Sequence, residues 1–212
     1  MVRKTQFSAE DVVQAGFMVV RQQGIEHLTA RNVARELGAS TAPVYSNFQN
    51  MEELEREVFA RAAERLKTYA SEPHTDNAFL NIGIGVLRYA WDCPRWYHAF
   101  TVRTDLSHAH FQGLTTHFLN QMTQDAELGT LHPQELGLLL HKMAIFTHGM
   151  AWDICLGHVP EEALEVGIRL MEEVGTVLSQ DAISRPPRTE EEYASLVPFC
   201  QVTTQKPESL GD

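Results

Sequence analysis

The sequence has few of the features that mark a membrane protein, a secreted protein or a disulfide-linked scaffold. No apolar run approaches the roughly 18 to 20 residues that a membrane-spanning helix needs. The first residues, MVRKTQFSAEDVV, contain two early cations but no apolar stretch, so we expect no signal peptide. Cysteine occurs only at Cys93, Cys155 and Cys200, and an odd number of widely spaced thiols argues against a disulfide framework. Together these absences predict a cytoplasmic protein without a membrane anchor.

Motifs for catalysis are also absent from the sequence. There is no glycine-rich phosphate loop, no nucleophile elbow and no pair of carboxylates at a credible spacing. Asp92, Asp105 and Asp153 each stand alone. We therefore expect a protein that uses no cofactor and is not an enzyme, with an all-helical enzyme as the less favoured alternative.

Histidine is the one residue type that suggests a metal. His108, His110 and His117 lie close together in the sequence, and zinc favours such groups. No HExxH or CxxC motif accompanies them, however, and His141 and His148 lie two helical turns apart, about 10–11 Å, which is too far for shared ligation. We expect no metal site. The histidines are interpreted as polar groups inside or beside a pocket, and His148 is the one most expected to be buried.

Net positive charge is missing from most of the chain, whose formal net charge is −11 at pH 7. Such a chain would normally be a poor candidate for nucleic acid binding, because phosphates repel acidic surfaces. The charge is unevenly distributed, however. Residues 1–49 hold five cations and four acids, whereas residues 50–212 hold twelve cations and twenty-four acids. Because salt screens charges beyond about 8–10 Å, the N-terminal segment can approach DNA despite the acidic remainder.

Helical periodicity runs through almost the whole chain, and strict alternation of period two is scarce. The sequence therefore predicts an all-α protein. We expect a first helical domain at 1–49, a connecting helix at 50–71, a second helical domain at 72–180 and a loosely structured tail at 181–212 with room for one short helix. In the second domain, helices are expected at Asn77–Trp91, Arg95–Ser107, Gln112–Glu127, Pro133–Leu156 and Pro160–Gln180.

Residues 29–48, TARNVARELGASTAPVYSNF, contain two short helical patterns separated by one glycine. Gly38 suits a left-handed turn between the two helices, because a β-carbon resists that conformation. The arrangement is typical of a helix-turn-helix, although an ordinary corner between two helices with a polar surface would show the same local pattern. The second helix carries short donors and acceptors, which suit base edges in a major groove.

The run LTARNVARELGASTAPVYSNFQNMEEL closely resembles the N-terminal domain of TetR-family transcriptional regulators. The match combines a capping Thr29, VARELGAS across the turn, VYSNF in the recognition helix and a capped fourth helix that starts NMEEL. The upstream GFMVVRQQGIEHLT fits the first helix of the family and its glycine-containing exit. The resemblance covers roughly residues 8–60, and the rest of the chain is similar to the family only in helical layout and size. It implies a three-helix helix-turn-helix domain that binds DNA, followed by a helical domain for ligand binding and dimerisation.

The resemblance also implies which residues face double-stranded DNA. They are Ser40, Thr41, Ala42, Tyr45, Ser46 and Asn47 at the recognition helix. Phosphates would be contacted by Thr29 and Arg31, with Arg3 and Lys4 as a basic arm. The chain departs from the family at the start of the fourth helix, where Met51 and two glutamates replace a common lysine. Weaker non-specific binding than in basic relatives is therefore expected.

For the second domain, the resemblance implies a cavity that binds a small apolar or aromatic effector. Large side chains of this region could line such a cavity or form ordinary core. The candidates for lining it are Trp91, Trp96, Tyr97, Phe100, Phe118, Met122, His148 and Trp152. Effector binding would alter the spacing of two DNA-reading domains, which requires different effector affinities for two states.

The last two long helices are the predicted dimerisation pair, and two copies would form a four-helix bundle. The candidate interface residues are Leu138, Leu139, Met143, Leu164, Ile168, Met171 and Val174. A two-fold dimer places its recognition helices about 34–36 Å apart and predicts a palindromic operator. The hypothesis is a dimeric repressor that an effector releases from its operator. The alternative is a regulator of the same fold that answers only to a protein partner.

Overall fold

The computed structural model describes residues 7–200, with every side chain in that range except those at 108, 109, 161 and 197–200. No strand occurs among these residues, so the all-α prediction is confirmed. None of the helices in the described range is long and apolar enough to cross a membrane. The α-helices of this range are α1 Ala9–Gln23, α2 Ala30–Glu36, α3 Ala42–Asn47, α4 Met51–Ala70, α5 Ala78–Asp92, α6 Pro94–Val102, α7 Thr104–Met122, α8 Pro133–Cys155, α9 Leu164–Ser184 and α10 Glu190–Cys200.

Local capping signals begin the first and fourth helices where the sequence predicts them. The Asp11 N–H donates to the Ser8 hydroxyl at 3.2 Å, while the Ser8 N–H donates to the Asp11 carboxylate at 2.8 Å. This reciprocal pair satisfies two backbone donors at the start of α1. The Ser8 hydroxyl also donates to the Asp11 carboxylate at 2.7 Å, and this hydrogen bond, together with that of the Ser8 N–H, lowers the pKa of the Asp11 carboxyl. At α4, the Glu53 N–H donates to the Asn50 side-chain oxygen at 2.9 Å.

The break between α6 and α7 lies at Arg103, where the sequence analysis placed it between Ser107 and Gln112. No proline or glycine marks the observed break. Arg103 has φ −104° and ψ 64°, and its guanidinium bridges Glu55 of α4 and Asp105 of α7, each at 3.0 Å. An ion pair with a distant helix accompanies this break, and such a contact leaves no local signal in the sequence.

The tail from residue 181 was predicted to be loosely structured with room for one short helix, and its described part, residues 181–200, is largely helical. Helix α9 continues to Ser184, and α10 follows at Glu190–Cys200. Tyr193 of α10 is buried, and its ring stacks on His132 with 5.3 Å between centroids. Packing against the start of α8 therefore orders a segment that, by its composition alone, is predicted to be mostly loose.

One continuous apolar core joins α1–α4 to the rest of the molecule. Trp96 of α6 is the centre of this junction and is fully buried. Its ring stacks on Phe17 of α1 at 5.2 Å and meets Phe59 of α4 edge-on at 5.5 Å. The Trp96 Nε1–H also donates to the Phe17 carbonyl at 3.1 Å. Trp96 therefore joins α6 directly to α1 and α4.

Candidate DNA-binding surface and effector cavity

Helices α2 and α3 form a helix-turn-helix at the surface. The Asn32 N–H donates to the Thr29 hydroxyl at 3.3 Å and caps α2, and Gly38 makes the turn with φ +64°. The Ala39 N–H closes the turn by donating to the Ala34 carbonyl at 2.9 Å. On α3, Val44 is buried in the core, so the opposite face of this short helix is directed outward.

The outward face of α3 and its preceding turn carries short polar groups and one aromatic ring. Ser40, Thr41, Ala42, Tyr45 and Ser46 are exposed, and Tyr45 exposes 58% of its surface. Hydroxyl and methyl groups match the donors, acceptors and thymine methyls of a major groove. Neither α3 nor the turn contains an acidic residue, so no carboxylate of this segment repels phosphates.

Asn47, the sixth residue predicted to face DNA, is directed into the protein. Its Nδ2 donates to the Pro43 carbonyl at 2.8 Å and to the Phe7 carbonyl at 3.2 Å. The side chain therefore ties α3 to the start of α1, and the expectation for Asn47 is corrected. The Ser46 hydroxyl also donates to the Pro43 carbonyl, at 3.1 Å, but this hydroxyl is exposed and keeps its acceptor capacity.

The described cations closest in sequence to this surface lie on α2. Arg31 and Arg35 are exposed one helical turn apart, and within the described residues neither forms an ion pair. Arg35 was not among the predicted contacts, although its spacing of four residues from Arg31 places both on one helix face. The predicted Arg3 and Lys4 lie outside the described residues. At the start of α4, the Glu53 carboxylate accepts a backbone N–H at 2.7 Å and acts as a cap.

A cavity of about 730 Å³ lies between α7 and α8, above α5. Its wall is largely apolar and includes the rings of Phe79, Phe100, Phe111 and Phe118. Phe111 and Ile145 are partly exposed and mark the place where the cavity opens to the surface. The volume falls within the range of about 300–1,000 Å³ that is usual for small-molecule sites.

Four of the eight predicted pocket residues line this cavity, namely Tyr97, Phe100, Phe118 and His148. His148 was expected to be buried but is exposed at the rim. Its Nδ1 lies 3.0 Å from the Tyr97 hydroxyl, and the two rings lie 5.8 Å apart. Burial raises the pKa of the Tyr97 phenol, so this hydroxyl remains protonated.

The other four predicted pocket residues lie elsewhere. Trp96 belongs to the junction with α1, and Met122 is fully buried in the core. Trp152 stacks on His98 with 5.6 Å between centroids, and Trp91 is partly buried away from the cavity. A large side chain on a helix that is buried on several sides can face the core, a cavity or a neighbouring helix. Helical spacing alone does not distinguish these three positions.

The histidines do not form a metal site within the described part of the chain. No group of His, Cys, Asp or Glu there is arranged to hold a metal ion. His117 Nε2 lies 3.1 Å from the Ser71 hydroxyl, and burial lowers the pKa values of both His110 and His117. The side chain of His108 lies outside the described residues.

The outer faces of α8 and α9 carry an exposed apolar surface, which we call the α8–α9 face. It consists of Ile145, Leu156, Val166, Leu170 and Val177. Most of the predicted interface residues lie on other faces of these helices. Leu139, Met143, Ile168 and Met171 are buried in the protomer, Leu138 and Met143 line the cavity, and Leu164 and Val174 are partly buried. Both helices are apolar on two sides, and the intramolecular core uses the side that the sequence analysis assigned to the dimer.

A second concave region lies between α1, α4 and α5. It is a groove of about 900 Å³ lined by several charged side chains, many of which already have partners. Arg61 pairs with Glu10, and the Tyr69 hydroxyl donates to Asp92 at 2.7 Å. Arg65 lies over the rings of Phe17 and Tyr69. These contacts join α1 and α5 to α4 and leave few polar groups for a ligand.

Comparison with known proteins identifies the N-terminal helices. Residues 12–58 match the family described as bacterial regulatory proteins, tetR family. This range contains α2, α3 and the first turns of α4, together with most of α1. No curated protein sequence is significantly similar to the chain.

Solved structures extend the likeness to the whole fold. A TetR-family transcriptional regulator from Streptomyces coelicolor superposes with a TM-score of 0.67 at 16% identity, covering 95% of this chain and 93% of that chain. A transcriptional regulator from Rhodococcus sp. Rha1 gives a TM-score of 0.60 at 19% identity, covering 85% of this chain and 100% of that chain. At such identities the likeness shows a shared fold.

Proposed function

We propose that this chain, whose residues 12–58 match the tetR family of bacterial regulatory proteins, is a dimeric repressor that a small-molecule effector releases from a palindromic operator. Proteins of this family are transcriptional regulators and not enzymes. The match of residues 12–58 supports DNA binding and regulation, whereas the sense of regulation, the dimer and the effector go beyond that match. Repression is the simplest sense, because occupancy of an operator is enough to block a polymerase.

The exposed face of α3 is the observation that carries the proposal. Thr41, Ala42 and Tyr45 are exposed on a helix whose other side is anchored by Val44. Exposed apolar surface of a tyrosine is costly in water, and contact with a base or a sugar would remove that cost. The unpaired Arg31 lies on the neighbouring helix, where a cation positions a protein on the phosphate backbone.

The α8–α9 face supports the dimer. Leu170 and Val177 are largely exposed on α9, and Ile145 is exposed on α8. A β-carbon added at Gly149 of α8 would meet no atom within 4 Å, so this glycine leaves room for a second backbone to approach. Two copies joined through these faces would form a four-helix bundle, which is a stable way to bury both apolar surfaces.

Helix α6 supports a coupling between the cavity and the DNA-binding helices. Trp96 packs on α1, whereas its neighbour Tyr97 lines the cavity. Phe100 lines the cavity as well and meets Phe59 of α4 edge-on at 5.8 Å. A ligand that fits one position of α6 better than another would change the placement of α1 and α4 by its differential affinity. The largely apolar cavity favours a small molecule over a protein partner as the effector.

The DNA-binding part of the proposal is tested with duplexes selected from a random library at low ionic strength. Tyr45→Ala removes the most exposed side chain of α3, and we expect a loss of operator affinity of about 1–3 kcal/mol. Arg31→Ala removes a phosphate contact, so it should weaken binding to all sequences and reduce the slope of log K against log salt by about one. Fluorescence anisotropy at several salt concentrations measures both effects.

Arg169→Ala is the matched control, because it removes one exposed cation from α9 and leaves the DNA-binding helices unchanged. Its affinity and salt slope should equal those of the unmodified protein. Selection of no duplex at all, or equal losses for Arg31→Ala and Arg169→Ala, would contradict the proposed surface.

A further inference from the structure

Histidine and tyrosine are the only titratable side chains in the described wall of the effector cavity. Among the described residues that line it, none is Asp, Glu, Lys or Arg. Tyr193 closes one end, and behind it the Tyr193 hydroxyl donates to Glu135 at 3.3 Å. The Glu135 carboxylate is itself paired with Arg188, so its charge is compensated outside the cavity.

Thr147 of α8 is an unusual member of this wall. It is only 3% exposed, and its Oγ1 has no hydrogen-bond partner in the described structure. A buried hydroxyl without a partner costs about 1–3 kcal/mol, so native proteins seldom keep one. A threonine within a helix commonly returns its hydroxyl to a carbonyl of the preceding turn, and Thr147 does not. A ligand in the cavity can supply the missing partner.

We infer that the effector is an uncharged, largely apolar molecule with one hydroxyl or carbonyl group that pairs with Thr147 Oγ1. This inference rests on the proposed function, in which the cavity is the effector site. Phenylalanine rings on several sides suit an aromatic or long aliphatic body, which gains free energy by leaving water. Tyr97 and His148 already satisfy each other at the rim, whereas the buried Thr147 Oγ1 has no hydrogen-bond partner among the described residues and can pair with a ligand.

Charged ligands of the same size are disfavoured by this wall. A carboxylate or ammonium group would lose its hydration in the apolar cavity, and the described lining has no Asp, Glu, Lys or Arg to compensate for it. A hydrocarbon has no polar group whose hydration is lost when it enters the cavity, but it leaves Thr147 without a hydrogen-bond partner. The site should therefore bind neutral alcohols and ketones more tightly than hydrocarbons. It should bind all of these more tightly than acids and amines of equal length.

Two matched ligand series test the ranking with the full-length protein. The first is biphenyl, 4-phenylphenol, biphenyl-4-carboxylate and 4-phenylbenzylamine, and the second is 1-decanol, decanoate and decylamine. Isothermal titration calorimetry at pH 7.5 measures each dissociation constant. We expect the neutral member with a hydroxyl to bind most tightly in at least one series and the charged members at least about tenfold more weakly.

Variants at Thr147 separate a ligand contact from a packing role. Thr147→Val has nearly the same shape but no hydroxyl, so it should weaken the phenol or alcohol about 3- to 10-fold and leave biphenyl unchanged. Thr147→Ser keeps the hydroxyl and should retain the preference for the phenol or alcohol. Thr147→Val should also raise the melting temperature of the free protein, because it removes a buried unpartnered group. If Thr147 served packing alone, its substitution would change the dissociation constants of all neutral ligands equally.

The inference is overturned if a charged member binds as tightly as the neutral one, if Thr147→Val weakens biphenyl and 4-phenylphenol alike, or if no member of either series binds. Operator binding is measured on the same preparations. If operator binding is retained in these cases, only the inferred ligand class is rejected and the proposed function stands. If the unmodified protein does not bind an operator, the proposed function itself is rejected.

Discussion

Single residues decide how closely the helices of this protein approach one another. Gly85 of α5 lies directly against the end of α4, and a β-carbon built on it would lie 2.1 Å from the Tyr69 carbonyl oxygen. The obstacle is backbone, which cannot rotate away as a side chain can. Gly113 of α7 is the opposite case, because a β-carbon there would meet no atom within 4 Å.

These two glycines yield opposite predictions for the same substitution. Gly85→Ala forces α4 and α5 apart and should lower the free energy of unfolding by about 3 kcal/mol, the upper end of overpacking costs. Gly113→Ala reduces the conformational freedom of the unfolded chain. It should therefore raise the free energy of unfolding by about 0.5–1 kcal/mol. Urea denaturation followed by circular dichroism measures both values. Equal effects of the two substitutions would show that α4 and α5 do not meet at Gly85.

At the scale of elements, the segment from α9 to α10 is attached through a buried ion pair. Arg188 reaches Glu135 at the start of α8, and both side chains are almost entirely shielded from water. Tyr193 adds a hydrogen bond to the same carboxylate and closes the cavity with its ring. Arg185, three residues earlier, pairs instead with the exposed Asp181 at 2.5 Å.

Replacing Arg188 and replacing Arg185 should destabilise the protein to very different extents. Arg188→Leu leaves a buried carboxylate without its cation and should destabilise the protein by about 3 kcal/mol. Combining it with Glu135→Gln should recover most of that loss, because no buried charge then remains. Arg185→Leu breaks an exposed pair and should cost less than about 1 kcal/mol. Thermal and urea denaturation of the three variants measure these differences. If Arg185→Leu destabilised the protein as much as Arg188→Leu, the attachment of this segment through the buried Arg188–Glu135 pair would be contradicted.

At the scale of the whole molecule, the protein combines a nearly neutral DNA-binding part with an acidic body. Residues 1–49 carry a net charge of +1 within a chain of −11. The acidic body opposes non-specific adsorption to DNA, so in the proposed dimer the affinity has to come from short-range contacts by two α3 helices. The proposal therefore makes the α8–α9 face important for DNA binding, because one α3 helix alone would read only half of a palindromic site.

A charge placed on the α8–α9 face should therefore separate the protomers. Val177 is 65% exposed, and Val177→Glu would bury a carboxylate at the proposed dimer interface in each copy. We expect a loss of at least about 100-fold in dimer affinity and a corresponding loss of operator binding. Val102→Glu is the matched control, since Val102 is 48% exposed at the end of α6, away from this face. Sedimentation velocity at micromolar concentration distinguishes dimer from monomer. A dimeric Val177→Glu protein would place the interface elsewhere.

Much of the N-terminal fold could be predicted because its signals are local. Ser8 with Asp11, Asn50 with Glu53, and Gly38 at the turn are short-range patterns that act within a few residues. The break at Arg103 could not be predicted, because it coincides with an ion pair to Glu55, 48 residues away. For the same reason the contact of α10 with α8 could not be predicted, since Glu135 and Tyr193 meet only in the folded protein.

The sequence by itself determined that the protein is all-α, where most of its helices begin, and that residues 29–48 form a helix-turn-helix with an exposed polar face. These properties depend on periodicity, caps and turns, which neighbouring residues establish among themselves. Only the tertiary structure decided that Trp96 joins α6 to α1, that Asn47 is directed inward and that Thr147 has no partner in the cavity wall. A helix that is apolar on several sides can rotate any of them towards the core, and the choice is made when all the helices pack together.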